Sequence, residues 1–416
     1  MSGDAAMRVT VLGAGYVGAT SAAVFAAIGH TVTCVERDPA RLAQWERGRD
    51  PLGEPGLADL LLSIDLRFAP TSESLACADV VVVAVGTPTG PLGAADLDQV
   101  EDAAAEIALR AREGTVVLMR STVPVGTCDR LQRGPLRRMR VVSNPEFLRE
   151  GYALEDAFAP TRIVAGGPHD AWLVVERLYR PIIDGRGLPA FARARGRVPV
   201  LWMSARSAEL AKYAANGFLA TKLSFVNEIA NLASVVGADP ASVLGSMGLD
   251  PRIGPQHLRP GLGWGGSCFP KDTRALQGIA DGAGYDFVIL RAAIEQNQRQ
   301  LRHFADAIRA ETPAGGTIGL LGLAFKAGTP DTRESPAVAL ASLLTRGGYA
   351  LRAFDPAVSE LDAGLGIEVR TSVHDACRDA DAVVIATEWP QFARLDLAAL
   401  RAVTRGDLLF DGRSIL

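Results

Sequence analysis

A short apolar run, Arg8 to Leu12, leads directly into GAGYVG, Gly13 to Gly18, and an Ala-rich helical stretch follows through Ile28. After Gly29 comes a second apolar run, TVTCVE, which closes on Glu36, 18 residues beyond Gly18. The order strand, glycine turn, helix, strand, acid is that of a dinucleotide-binding βαβ unit. Gly13 permits the tight turn, Gly15 leaves room for a pyrophosphate against the backbone, and Gly18 lets the helix pack on the strand. The helix N-terminus supplies N–H groups and positive potential for the phosphates. Glu36 is placed to accept hydrogen bonds from ribose hydroxyls and to repel a 2′-phosphate, which favours NAD over NADP. The competing reading, a glycine-rich turn without a ligand, leaves the acid at the strand end unexplained.

Three further apolar runs, Val81 to Thr89, Thr115 to Pro124 and Arg140 to Phe147, end in small or polar residues, as at the carboxyl edge of a parallel sheet. Residues Ser204 to Val236 repeat apolar positions every three or four residues, which predicts one long helix. The preceding GRGLPAFARARGRVP reads as an irregular connector. A new α/β unit opens at GTIGLLGLAFKAG, continues in a helix over Pro336 to Arg346 and returns in the strand YALRAFDP. The runs SLACADVVVVA, from Ser74, and VHDACRDADAVVIA, from Val373, echo one another, each with a Cys and an Asp ahead of a buried strand. Cys77 and Cys377 therefore read as matched small core residues. The fold class is α/β: two Rossmann-like parallel-sheet domains joined by a long central helix and a helical middle domain. The expected boundaries are 1–200, 201–312 and 313–416.

Composition narrows the function classes. The 416 residues carry 43 Lys+Arg against 47 Asp+Glu, a net charge of −4 with no basic stripe, which argues against nucleic-acid binding. No apolar run approaches the roughly 18 residues that span a bilayer. The N-terminus lacks a basic stretch followed by a long apolar core, so a soluble, cytoplasmic protein is expected. The 5 Cys form no CxxC pair and the 5 His show no ligand spacing, so neither a disulfide framework nor a metal site is expected. Only four basic residues are Lys: Lys212, Lys222, Lys271 and Lys326. Where Arg is the default cation, a Lys points to a place that needs a compact charge.

The candidate chemistry gathers at GLGWGGSCFPKD, Gly261 to Asp272. Its glycines let the backbone approach a bulky ligand, and Lys271 close to Cys268 favours the reactive thiolate. On the residues alone, a nucleophile and a free thiol in a loop stand as equal readings. Lys212 and Asn216 are i and i+4 on the long helix, so an ammonium and an amide share one face, as a donor pair for an oxyanion. A solvated Lys and an interface Asn would fit the same spacing. Glu146 and Glu150, in SNPEFLREG, follow a sheet strand, where an ordinary helix-start carboxylate is the alternative. Lys222 and Asn227 are polar positions without an assignment.

The motifs GAGYVG, STVPVGT, NPEFLREG, AKYAANGFLATKLSFVNEIANL, RIG, GGSCFPKD, FKAGTPDTRES and FDGR occur in this order over essentially the whole chain. In this the sequence resembles the UDP-glucose/GDP-mannose dehydrogenase family. The text around Lys212, RIG and FPKD is most similar to the branch acting on UDP-glucose, and Ser267 stands where the UDP-N-acetylmannosamine branch has His. The resemblance implies a four-electron oxidation of a primary alcohol to a carboxylate with two NAD. It implies that Asp272, through a water shared with Thr122, accepts the C6 hydroxyl proton. It further implies that Cys268 captures the aldehyde, that Lys212 and Asn216 stabilise the oxyanion, and that Glu146 assists thioester hydrolysis. Which group is the dominant base stays open.

The family pattern also places Thr87, Thr122, Glu150, Lys271 and Arg333 near NAD. It puts Glu146, Lys212, Asn216, Gly265, Lys326, Arg413 and the loop His257, Leu258, Arg259, Pro260 and Gly261 around the nucleotide sugar, with Arg252 reaching it from the second subunit of a homodimer built on the central helix. Neither a membrane nor a nucleic acid is an expected partner, and no metal is implied.

Departures from the pattern are Glu36 for the usual Asp, His257 for an aromatic ring, and Gly217, expected to loosen the helix by about 1 kcal/mol relative to Ala. The chain ends three residues after Arg413, and no long regulatory tail is expected. Rival readings are the same chemistry on GDP-mannose or another nucleotide sugar, a two-electron hydroxyacid-type dehydrogenase that needs no Cys, and an NAD-binding scaffold without activity.

Overall fold

A computed structural model of the chain describes residues 6–90, 93–186, 188–189 and 196–416. The polypeptide divides into two compact units, Met1–Ala214 and Ala215–Leu416. The expected connector, 185–199, falls partly outside the described residues, at 187 and 190–195.

The first unit is built on eight strands: β1 Arg8–Leu12, β2 Thr31–Val35, β3 Leu66–Ala69, β4 Val80–Val83, β5 Val116–Met119, β6 Arg140–Ser143, β7 Ile163–Gly166 and β8 Val200–Met203. They lie in the order β3-β2-β1-β4-β5-β6-β7-β8. Neighbours are parallel except at β6 and β7, which meet as one antiparallel pair, Ser143 opposite Gly166, so the expected parallel sheet carries one exception. β4 reads VVVV and is buried throughout. Val80 and Val82 enter one apolar cluster and Val81 and Val83 the other, so the strand alternation supplies two cores, one on each face. The strands are shorter than the apolar runs that announce them. Their carboxyl ends leave the ladder early and become loops, where the candidate residues sit.

In the second unit five strands, β9 Thr317–Leu321, β10 Ala350–Phe354, β11 Ile367–Val369, β12 Ala382–Ile385 and β13 Leu408–Asp411, form a parallel sheet in the order β11-β10-β9-β12-β13. This repeats the first five positions of the other sheet, and the echo between the two halves extends to single bonds. Asp79 N–H donates to Arg8 O at 2.8 Å and its carboxylate accepts Arg8 N–H at 2.9 Å. Asp381 N–H donates to Thr317 O at 2.8 Å and its carboxylate accepts Thr317 N–H at 2.8 Å. Each carboxylate also takes an Arg ahead of the fifth strand, Arg112 at 3.3 Å and Arg405 at 3.1 Å. The matched cysteines behave differently. Burial pushes the Cys377 thiol up to about 12. Cys77 is exposed at the end of a short 3-10 turn, which corrects its reading as a core residue.

The long helix runs unbroken over Ala205–Val236. A Cβ on Gly217 would meet Leu276 Cδ2 at 3.0 Å and Leu290 Cδ1 at 3.7 Å. Gly217 thus leaves room for the side chains of the neighbouring helices Phe269–Gly282 and Val288–Glu311. Among the described residues, no helix is long and apolar enough to cross a membrane, and no group of three His, Cys, Asp or Glu could hold a metal.

Candidate active site

In the first unit, the turn after β1 depends on its glycines. Gly13 sits at φ +95°, and a Cβ there would lie 2.7 Å from Ala84 O. A Cβ on Gly18 would lie 1.8 Å from Gly13 O, so the helix Tyr16–Ala27 closes on the turn that starts it. A Cβ on Gly15 would meet nothing within 4 Å. Gly13, Gly15, Glu36, Arg41 and Gly86 line a cavity of about 460 Å³. Glu36 is buried and accepts from Asp38 N–H at 2.9 Å and Arg41 Nη1 at 3.2 Å. Arg37 pairs with Glu106 at 2.6 Å. An open backbone at a helix N-terminus, with an acid at the end of β2, fits a dinucleotide. Thr87 and Thr122 come together here, the Thr87 hydroxyl donating to Thr122 O at 3.0 Å.

The loop after β6 brings Glu146 to Lys212. Lys212 Nζ donates to Glu146 Oε1 at 2.9 Å, and Leu148 N–H donates to Oε2 at 2.5 Å. Both side chains are buried. Burial pushes the Glu146 carboxyl up, but the Lys212 charge, the Leu148 N–H and Arg120 outweigh it and hold the group below its ordinary 4.5.

Several residues that sequence reasoning did not single out support this arrangement. Glu54, buried, accepts from the Tyr16 hydroxyl, from Gly151 N–H at 2.8 Å and from Ala153 N–H at 2.6 Å. It thereby ties the loop bearing Glu146 and Glu150 to the first residue of the glycine-turn helix. Asn144 accepts from Arg120 at 3.0 Å and from the Tyr179 hydroxyl at 2.7 Å, fixing the start of that loop. Glu209, one helical turn before Lys212, accepts from Gly126 N–H at 2.5 Å and Cys128 N–H at 2.8 Å and anchors the helix to the STVPVGT segment. Burial raises the Glu209 carboxyl despite those two donors. A polar residue that meets its partner from a distant segment leaves no local pattern. The EPG turn at Glu54 was the one available signal.

In the second unit, Cys268 is the N-cap of the helix Phe269–Gly282 and is partly exposed, so its sulfur lies at the positive end of a helix, which favours thiolate. Ser267 Oγ is 3.6 Å from its Sγ. Asp272, in the first turn, is 1 % exposed. Its Oδ1 accepts from Lys271 Nζ and its Oδ2 from Asn216 Nδ2, both at 2.6 Å.

The glycines ahead of Cys268 serve the chain itself. A Cβ on Gly263 would lie 2.6 Å from Asn297 Oδ1, one on Gly265 2.1 Å from Glu334 O, and one on Gly266 2.7 Å from the Phe325 ring. These close approaches require glycine whether or not a ligand also lies against the loop. Asn227, unassigned from sequence, accepts Gly261 N–H at 2.8 Å, and Gln300 donates to Gly261 O at 2.9 Å. Arg413 donates to Ala386 O at 2.8 Å and to Phe325 O at 2.9 Å, so Gly261, Phe325 and Arg413 are neighbours and Lys326 follows directly.

Leu258 is buried in an apolar cluster with Val226 and Leu244, a packing position, whereas His257, at φ 60°, and Arg259 are exposed and Pro260 is partly so. Lys222 donates to Ile253 O at 2.9 Å and so supports the turn that presents Arg252, itself exposed and paired with Asp250 at 2.5 Å. Arg333 forks onto Asp331 at 2.7 Å. Lys271 and Arg333, the two cofactor candidates outside the first unit, are thus engaged by neighbouring carboxylates.

A dinucleotide cavity, a thiol at a helix N-terminus and a buried acid held by an amide and an ammonium belong to an NAD-dependent dehydrogenase. Comparison with known proteins agrees. The chain matches the models of the UDP-glucose/GDP-mannose dehydrogenase family for the NAD binding domain over residues 7–183, the central domain over 206–299 and the UDP binding domain over 319–416. It is 42 % identical to a UDP-glucose 6-dehydrogenase of Pseudomonas aeruginosa, over 98 % of this chain and 94 % of the relative. It is 40 % identical to the UDP-glucose 6-dehydrogenase TuaD of Bacillus subtilis, over 98 % of this chain and 89 % of the relative. A solved UDP-glucose dehydrogenase from Pyrobaculum islandicum is 37 % identical, covers 100 % of this chain and 96 % of its own, and superposes with a TM-score of 0.90. The chain belongs to the UDP-glucose/GDP-mannose dehydrogenase family: it is an NAD-dependent oxidoreductase acting on the CH–OH group of a nucleotide sugar.

Proposed function

We propose that this chain oxidises the C6 alcohol of UDP-glucose to the carboxylate of UDP-glucuronate, with Cys268 holding the carbon between two oxidations. The names of the relatives at about 40 % identity support the substrate. The observation that carries the chemistry is the placement of Cys268 at a helix N-terminus, four residues before an acid held between Asn216 and Lys271.

When bound, NAD supplies the hydride acceptor for each oxidation. Asp272, with Thr122 assigned to a shared water, takes the C6 hydroxyl proton as the alcohol becomes an aldehyde. The Cys268 thiolate then adds to the aldehyde carbon: a C–S bond forms, the carbonyl π pair moves to oxygen, and that oxygen takes up a proton. Lys212 and the remaining N–H of the Asn216 amide donate to it as charge develops. Loss of a second hydride and of the hydroxyl proton leaves a thioester. Water attacks it, Glu146 assists, the C–S bond breaks and the thiolate is regenerated. The lowered Glu146 carboxyl stays ionised through the neutral range, as a group that orients water must. Nucleotide binding falls to Lys326, Arg413 and the His257 to Gly261 loop.

A homodimer, the three-segment division 1–200, 201–312 and 313–416, and a cytoplasmic setting belong to the same proposal. Phe218, Phe225 and Leu232 stand exposed at seven-residue intervals along the long helix, an apolar stripe suited to a second copy. The test is the NADH yield with limiting UDP-glucose. Two per sugar supports the reading; one per sugar, with free aldehyde, overturns it.

A further inference from the structure

The duplication of the two sheets sets Asp355, the residue after β10, in the place that Glu36 holds after β2. The turns match as well: Gly13 N–H donates to Val35 O at 3.0 Å, and Gly322 N–H donates to Phe354 O at 2.8 Å. Ala84 N–H donates to Leu12 O at 2.9 Å, and Ala386 N–H to Leu321 O at 2.8 Å. Gly322, Leu323 and Ala324 therefore correspond to Gly13, Ala14 and Gly15. The two acids behave differently. Glu36 turns to Asp38 N–H and Arg41, and it lines a cavity together with the glycine turn. Asp355, 4 % exposed, turns onto its own turn instead. Its Oδ2 accepts from Leu323 N–H at 2.7 Å, Ala324 N–H at 3.0 Å and the Trp389 indole at 3.1 Å. Its Oδ1 accepts from Ala357 N–H at 2.8 Å and Val358 N–H at 3.2 Å.

We propose that Asp355 closes the dinucleotide site of the second sheet and fixes the Leu323 to Lys326 segment for the nucleotide of the sugar substrate. The carboxylate takes the N–H groups that would otherwise cradle a phosphate, so this sheet holds no second NAD. The same bonds set the turn from which Phe325 and Lys326 project, and Arg413 clamps that turn from the other side through Phe325 O at 2.9 Å. The Trp389 indole ties the loop after β12 to the same carboxylate, so one acid joins the loops after β9, β10 and β12. Asp355 is a positioning residue that acts through the loop. This rests on the reading of the second unit as the nucleotide-sugar side.

The test uses the full-length protein, with UDP as the probe and NADH as the control, both titrated at equilibrium. Asp355→Asn replaces one acceptor oxygen with an NH₂ that confronts N–H donors, so UDP affinity should fall about tenfold or more while NADH affinity is unchanged. Trp389→Phe removes one donor of the five and should weaken UDP in the same direction by a few-fold, which keeps the proposal testable should Asp355→Asn fail to fold. Unchanged UDP affinity in the folded variants, or an equal fall for UDP and NADH, overturns the positioning role. A wild-type protein that does not bind UDP overturns the nucleotide-sugar reading instead.

Discussion

Asn216 Nδ2 donates to Asp272 Oδ2 at 2.6 Å, joining the long helix to the first turn of the helix that Cys268 caps. With Lys271 on the other oxygen, both carboxylate oxygens are held, which suits the proposed role of Asp272 as proton acceptor. Asn216→Asp would set two carboxylates in contact and force them to share a proton. The kcat of Asn216→Asp should fall about 100-fold or more while NADH affinity holds. Steady-state rates and NADH titration check this. A variant within threefold of wild type would separate Asn216 from the chemistry.

Lys212 and Glu146 form a buried pair, so removing the cation strands a charge. Lys212→Met should cost about 3–5 kcal/mol in urea unfolding at pH 7. The sign with pH follows from the lowered carboxyl. The Glu146 contribution is complete above its ordinary 4.5 and is lost as pH falls through the lower folded value. The difference between wild type and variant should therefore hold steady from pH 6 to 8 and shrink under acid conditions. A difference that grows toward low pH contradicts the pairing.

At the adenosine end, Glu36 holds Arg41, and Arg37 stands beside them. Glu36→Ser frees Arg41 and removes the charge that repels a 2′-phosphate. NADPH affinity should rise about tenfold and NADH affinity should fall, as read by nucleotide fluorescence titration. If NADPH binding does not improve, Glu36 is not what excludes it.

The exposed stripe on the long helix predicts an assembly. Phe225→Glu puts a charge in its centre. Sedimentation should show a dimer for wild type and a monomer for the variant, with NADH binding retained because the cofactor cavity lies wholly in the first unit. A dimeric variant would move the interface elsewhere.

Much of this molecule was legible in its sequence, and the parts that were not share a cause. β1, the glycine turn and Glu36 follow one another within about thirty residues, so local pattern carries them. The expected helix over Pro336 to Arg346 is found with those bounds, capped in the structure by Ser335 and Gly347. The echo between Asp79 and Asp381 was visible as text, but what it meant was not. Each acid clips the first strand of its own sheet, a contact more than sixty residues away in sequence. β7 and β8 are not among the runs singled out from the sequence; β8 is half exposed and so carries no buried pattern. That Gly265 and Gly266 also make room for Glu334 and Phe325 is a contact a sequence cannot show. Glu54 and Glu209 take their donors from segments far along the chain, so no local pattern singles them out.

The central claim is a covalent bond between Cys268 and the sugar. Glu146→Gln, incubated with UDP-glucose and NAD and then quenched in acid, should carry a UDP-glucuronyl thioester on the peptide containing Cys268, detectable by mass spectrometry and released by hydroxylamine. An unmodified Cys268 peptide in a variant that still completes both oxidations would contradict the account.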